Sequence, residues 1–195
     1  MTWLVCGLGN PGDRFARTRH NLGAMVVDEL VSRAGERLKK VRFVPVEAAE
    51  YTQSGERVIL ARAHAFMNES GPAYASLARK RDVPPEQVIA VHDELDLAFG
   101  ALKVKIGGST AGHNGLGSLQ GALRTPEFVR VRMGIGRPPG RQEPGDFVLR
   151  PFSKDEEAEV PLFVDDAADA AVSLVTEGLN ATQDRFNRGG LSDRR

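Results

Sequence analysis

Residues 2–12 read TWLVCGLGNPG. Trp3 to Cys6 is an apolar run with the composition of a short buried strand, and Gly7 to Gly12 close it with a turn. Gly7, Gly9 and Gly12 match the G-x-G-x-x-G spacing of a dinucleotide-binding turn. Two residues speak against that use. Pro11 has no N–H to offer a pyrophosphate, and Asp28, near the offset of a ribose-binding acid, falls inside a helical pattern rather than at the end of a second strand. What remains is a turn that needs small residues, or a turn that presents Asn10 at the carboxyl end of a strand, where open α/β sheets place their ligands.

Working outward, apolar residues at helical spacing (Leu22, Met25, Val26, Leu30, Val31) predict a helix over 21–34, stopped by Gly35. Segments 48–53 and 57–63 flank Ser54-Gly55-Glu56 as a hairpin. A helix is expected through Lys80, capped by Asn68 or Ser70, with Pro72 in its first turn. After Pro84-Pro85, the run Val88 to Val91 reads as a central strand. Strands are expected at 102–106 and 129–135, a loop at 107–112, and helices at 115–123, 154–178 and 181–187, the last capped by Asn180; 138–144 reads as a turn-rich crossing. Strands alternate with helices, which predicts an α/β fold: a single domain with a mixed, twisted β-sheet flanked by α-helices. Its expected extent is 1–188, followed by a flexible tail over 189–195.

The chain has 195 residues, enough for a sizeable core without cross-links. Its one cysteine, Cys6, sits in the first strand and reads as a packing residue; such usage suits a reducing cytosol. No segment approaches the roughly 18 apolar residues of a membrane span, and no secretory leader pattern is evident. Lys plus Arg and Asp plus Glu number 26 each, so bulk attraction is not what would bring nucleic acid to this chain. A local basic stripe is compatible with that balance. Lys103 and Lys105 alternate on one strand and Arg130 and Arg132 on another, each pair level on one strand face, fit to meet phosphates or to form the solvent face of a half-buried sheet.

Four stretches carry residues suited to chemistry. TRHN at 18–21 places His20 just before a helix, and VHDELD at 91–96 places Asp93 at the end of the most buried strand, where an acid can orient an imidazole. The alternatives are an ordinary histidine and a solvated acidic turn, and the neighbouring histidines also permit a metal, although no compact zinc spacing is present. AFMNESG at 65–71 and GHNGL at 112–116 put Asn68 and Asn114 near helix starts, as caps or as carboxamide donors to a carbonyl or ribose. Phe66 and Met67 are core residues or an apolar platform for a base or peptide.

These blocks together resemble the bacterial-type peptidyl-tRNA hydrolase family: GLGNPGDRFARTRHNLG at 7–23, FMNESG at 66–71, HDELDLAFG at 92–100, KVKIGGSTAGHNGL at 103–116, RVRMGIGRP at 130–138 and DFVL at 146–149, in family order. The resemblance implies hydrolysis of the ester between a peptide and the 3′ ribose of tRNA, recycling tRNA from prematurely released peptidyl-tRNA. It implies His20 as general base, Asp93 as its orienting acid, and Asn10, Asn68 and Asn114 as substrate-positioning residues, with Asn10 helping to select blocked over free aminoacyl-tRNA. Phe15, Phe66 and Met67 belong by the same resemblance to the tRNA 3′-end site, and Lys105 and Arg132 to the grip on acceptor-stem phosphate. No metal or other cofactor, no membrane and no obligate protein partner are implied; the expectation is a cytoplasmic monomer. Two departures stand out. Position 15 is Phe where many relatives have Tyr, and Ser109-Thr110 stand in a loop that is often richer in glycine. Three other classes compete: an RNA-binding relative without hydrolysis, a dinucleotide oxidoreductase and a metallo-hydrolase.

Overall fold

The computed structural model describes residues 1–189, so nearly all of the expected tail lies outside the described residues. Seven strands form one sheet in the order β2-β3-β4-β1-β5-β7-β6. They are β1 (Thr2–Gly7), β2 (Lys39–Lys40), β3 (Val46–Gln53), β4 (Glu56–Ala63), β5 (Val88–Glu94), β6 (Leu102–Ile106) and β7 (Val129–Gly134). β1 pairs in parallel with both β4 and β5, and β5 with β7; β3 and β6 run antiparallel to their neighbours. The chain leaves β1 toward β4 on one side and returns to β5 on the other. The crevice between the carboxyl ends of β1 and β5 is therefore the switch point at which such sheets bind ligands.

Alternation along the central strands fills two cores. Val5, Leu60, Ile89 and Val91 point to the layer of α1 (Leu22–Arg33) and α5 (Lys154–Thr176), packing on Val27, Leu30, Phe163, Ala167 and Leu174. Leu4, Cys6, Ile59 and Ala90 point to the layer of α2 (Ser70–Lys80) and α3 (Asn114–Leu123), against Tyr74, Leu77 and Leu119. Cys6 is fully buried and burial pushes its thiol up, so it is a core residue. Helices reach the sheet closely where side chains are missing. A Cβ on Gly23 would lie 2.0 Å from the Val91 carbonyl oxygen, and one on Gly71 would lie 2.0 Å from that of Ser118.

Several local expectations need correction. The hairpin loop is Ser54-Gly55 alone, both with positive φ, and Glu56 already belongs to β4. α2 follows a short 3₁₀ turn and has neither Asn68 nor Ser70 as a side-chain cap: Ser70 donates its hydroxyl back to the Met67 carbonyl at 2.8 Å. α5 carries a full capping box, Ser153 with Glu156. α6 (Leu179–Phe186) starts at Gly178, which has positive φ, and Asn180 lies within it rather than capping it. A five-residue helix that was not expected, α4 (Pro144–Val148), begins at the last residue of the turn-rich crossing. Asp28, on α1, pairs at the surface with Arg62 at 2.8 Å, which disposes of its ribose-binding role.

Candidate active site

Three chain segments meet at the switch point. The first is the GLGNPG turn after β1. Asn21, in the 3₁₀ turn ahead of α1, clasps Asn10 from both sides: its Oδ1 accepts the Asn10 N–H and its Nδ2 donates to the Asn10 carbonyl, each at 2.9 Å. The Asn10 carboxamide is then fixed in turn. Its Oδ1 accepts the Met67 N–H at 2.7 Å, leaving Nδ2 as the end with hydrogens to spare. The turn thus holds Asn10 by the backbone and aims its amide.

The second segment is the same 3₁₀ turn, which carries His20. The His20 Nδ1 lies 2.8 Å from Asp93 Oδ2, at the end of β5. Both groups are buried, at 7 % and 2 % exposure. A carboxylate can only accept, so Nδ1 carries a proton, and the neutral ring has its lone pair on Nε2. His20, Asp93, His113 and Asn114 line one cavity of about 100 Å³ together with Thr110, Gly112, Pro144 and Val148.

His113 belongs to the third segment, and sequence reasoning missed it. It is the N-cap of α3: its Nδ1 accepts the N–H groups of Gly115 and Leu116 at 3.1 and 3.3 Å. That fixes the proton on Nε2, which donates to Asp93 Oδ1 at 2.8 Å. Asp93 therefore accepts from two imidazoles. Burial acts to raise its carboxyl, but the attraction of the His20 and His113 rings and the hydrogen bonds from both outweigh it, and Asp93 is held well below the usual carboxylate range. His92, beneath them and fully buried, goes the other way: burial, then its neighbour His113, lowers it to about 3, so it is neutral. The signal for His113 was available, since a polar residue directly before a helical pattern is a cap candidate. Its reach to Asp93 was not.

The ligand atoms of His20, Asp93 and His113 lie within 4.8 Å of one another, close enough to share a metal ion. The hydrogen bonding fits that use poorly. A metal on His113 Nε2 would move its proton to Nδ1, where it would face two backbone N–H groups.

The remaining expected residues ring this centre. Met67 is buried, with its sulfur packed so closely that a Cβ on Gly115 would come within 2.4 Å of it. Asn68, Asn114 and Phe66 are exposed, and of the three Asn114 lines the cavity. Phe15 and Phe66 meet edge to face at 6.2 Å, and the Arg14 guanidinium covers the Phe15 ring at 4.5 Å. Neither Asn68 nor Asn114 is a helix cap. β6 and β7 are antiparallel neighbours with Lys103 opposite Arg132 and Lys105 opposite Arg130, so Lys105 and Arg132 are diagonal neighbours on one sheet face. Arg132 already bonds Glu94 at 3.1 Å. Arg130 departs from expectation: it is 1 % exposed, and it donates to the carbonyls of Ser109 and Gly108 at 2.7 and 2.8 Å instead of facing solvent.

Arg19, beside His20, ties the site to the C-terminal third. Its guanidinium donates to the Pro151 carbonyl at 2.8 Å, pairs with Glu156 at 2.7 Å and stacks over Phe147 at 4.1 Å. The segment so anchored supplies Pro144, Gly145 and Val148 to the cavity wall.

A family model described as peptidyl-tRNA hydrolase matches residues 4–194. A peptidyl-tRNA hydrolase of Nocardia farcinica is 49% identical over 184 residues, covering 94% of this chain and 95% of the relative. One of Frankia alni is 50% identical over 185 residues, covering 95% and 93%. The crystal structure of peptidyl-tRNA hydrolase from Acinetobacter baumannii superposes with a TM-score of 0.90 at 30% identity, over 97% of this chain and 96% of that one. A match over nearly the whole length by sequence and by fold places the chain in the peptidyl-tRNA hydrolase family.

Proposed function

We propose that this chain hydrolyses the ester joining a peptide, or an N-blocked aminoacyl group, to the 3′ ribose of tRNA, and so recycles tRNA from prematurely released peptidyl-tRNA. The observation that carries the mechanism is the His20–Asp93–His113 chain, which leaves His20 Nε2 free at the cavity. In this reading His20 Nε2 takes a proton from water, whose oxygen attacks the ester carbonyl. Asp93 fixes the tautomer and stabilises the imidazolium, and His113 holds Asp93 in place from its other side. The tetrahedral oxyanion accepts hydrogen bonds from the Asn114 carboxamide, and its collapse expels the ribose oxygen, which receives the proton back from His20.

Asn10 Nδ2 and Asn68 position the peptide side of the substrate. Phe15 and Phe66 form the apolar ground for the terminal base, where Phe15 retains ring contact but no hydroxyl; Met67, expected beside them, is instead a buried core residue. Lys105 and Arg132 grip acceptor-stem phosphate. Among the described residues no helix is long and apolar enough to cross a membrane. We read the protein as a cytoplasmic monomer that requires no cofactor and no obligate protein partner, with residues 1–188 as its working unit.

The test uses N-acetylated aminoacyl-tRNA and its unblocked counterpart, with and without chelator. The blocked ester is expected to be cleaved preferentially and chelator to leave the rate unchanged. His20→Ala should lose at least the roughly 10²–10⁴-fold supplied by a positioned base. Near-normal turnover in that variant would reassign the base, and loss of activity in chelator would return the His20–Asp93–His113 cluster to metal chemistry.

A further inference from the structure

The buried guanidinium of Arg130 does something a phosphate ligand at the surface would not need. It lies beneath the loop 107–112 and accepts no solvent; its two terminal nitrogens hold the carbonyls of Gly108 and Ser109. Among the described residues there is no cis peptide bond, and in a trans peptide the N–H points opposite to the C=O. Pulling those two carbonyls down toward the sheet therefore turns the N–H groups of Ser109 and Thr110 up, away from Arg130. Neither N–H has a hydrogen-bond partner among the described residues. The loop reaches this shape through left-handed backbone at Gly107, Gly108, Ala111 and Gly112, with φ of 66°, 95°, 48° and 78°. Successive N–H groups presented this way form an anion-binding concavity.

The surroundings suit an anion. The Lys105 side chain lies against the loop, so close that a Cβ on Gly108 would come within 2.6 Å of its Nζ. Lys105, Arg130 and Arg132 share one sheet face; Glu94 is occupied by Arg132, and Glu127 lies under Gly107 at the loop's far end. Desolvation, then Arg132 and Arg130, lower the Lys105 ammonium, which marks a place where cations outnumber their counterions. Thr110 also lines the cavity that holds His20 and Asp93. A phosphate here would lie beside the cavity that holds His20 and Asp93.

We propose that the Ser109 and Thr110 N–H groups, with Lys105, form a binding site for a phosphodiester of the single-stranded 3′ end of tRNA, and that Arg130 is the positioning residue that orients them. This rests on the peptidyl-tRNA reading above and adds a second phosphate contact to the one proposed for Lys105 with Arg132. Arg130 touches no substrate; it acts through the loop carbonyls.

The decisive measurement is an amide titration of the ¹⁵N-labelled full chain with the trinucleotide CCA. The Ser109 and Thr110 amide resonances are expected to shift and saturate. In parallel, catalytic constants are measured on N-acetylaminoacyl-CCA and on N-acetylaminoacyl-adenosine, which lacks phosphate. Arg130→Lys keeps the charge but loses the fork that spans two carbonyls. It should raise KM on the CCA substrate about tenfold, the order of one or two hydrogen bonds, and leave kcat/KM on the adenosine ester unchanged. Because Arg130 is buried, a second variant replaces the Thr110 amide with a backbone ester, which deletes the N–H and keeps every side chain. It should show the same KM split. Amides that do not move with CCA, full activity of Arg130→Lys on the CCA substrate, or equal losses on both esters would each overturn the site. A wild-type protein that cleaves neither ester overturns the parent reading, and the amide titration still decides the phosphate site.

Discussion

Two glycine-rich turns border the candidate site, and their glycines do opposite jobs. In the turn after β1, glycine serves close approach. A Cβ on Gly7 would lie 2.5 Å from the Gly23 carbonyl oxygen, and Gly9 is hemmed by Ala24 and Asn21 at 3.0–3.2 Å. Only Gly12, at its open end, needs a left-handed φ. In the loop 107–112, by contrast, Gly112 has nothing within 4 Å of an added Cβ, and Gly108 would meet only the flexible end of Lys105. There, glycine serves conformation. The first turn is held by its packing and by the Asn21 clasp; the second is held by hydrogen bonds, two of them from the buried Arg130 and others from the Gly107, Ala111 and His113 N–H groups. A rigid wall thus faces a wall whose shape depends on few contacts, and low local stability is common where substrates must enter.

The strongest way to break this contrast is to add a methyl group at the rigid wall. Gly23→Ala sets a Cβ against the Val91 carbonyl and the Leu8 backbone, with no flexible side chain to yield. We expect a loss above about 3 kcal/mol, the upper end of ordinary overpacking, read as a shifted urea midpoint. A loss under about 1 kcal/mol would show that the wall gives way after all.

Next comes acid sensitivity beneath the second wall. His92 stays neutral in the fold down to about pH 3, whereas an unfolded histidine takes up a proton near pH 6.5. A group whose folded pKa is lowered in this way favours unfolding as pH falls through 6.5. Stability should fall by about 1.4 kcal/mol per pH unit there, about 2 kcal/mol by pH 5. Asp93, with its folded pKa depressed, contributes stability that is present above about pH 4 and lost only below it, so the two effects separate. Urea unfolding at pH 7.5 and pH 5 should show a smaller difference for His92→Leu than for the wild type; parallel slopes would exclude His92 as the source.

A smaller effect tests what the rigid wall is for. Asn10 spends its carboxamide oxygen on Met67 and has N–H left for a peptide carbonyl, which a free aminoacyl ester lacks. Asn10→Ala should narrow the preference for blocked over free substrate by about tenfold, the order of one hydrogen bond to substrate. If both rates fell with their ratio intact, the residue would be scaffolding only. The least effect is expected at the second wall: Ala111→Gly relieves a left-handed alanine but loosens the unfolded chain, two changes of about 0.4–1 kcal/mol that oppose each other. A melting shift of many degrees would show that the loop is as constrained as the first turn.

The sequence and the structure agree where one signal acts over a short range. Helix α1 was legible from its apolar spacing and β5 from four apolar residues in a row; the long-range His20–Asp93 contact was expected only through the family resemblance. The misses share a cause. β2 is two lysines on a sheet edge, with no alternation to read, and α4 is five residues between prolines and glycines. Arg130 alternates with Arg132 as though both faced solvent, and only a loop folded over β7 from twenty residues away buries the first of them. His113 looked like the residue before a cap because its role requires β5 and α3 to be side by side.

The Arg19 anchor has a consequence for the order of synthesis. Every partner of that guanidinium (Phe147, Arg150, Pro151 and Glu156) lies more than a hundred residues downstream. While the ribosome is still making the middle of the chain, Arg19 has no countercharge in its buried seat, and the adjoining His20 turn lacks its final support. Burying an unpaired cation is costly, so the seat stays open until residue 156 has emerged. During most of its own translation the chain is itself a peptidyl-tRNA, and over that interval the histidine proposed as its base lacks that anchor.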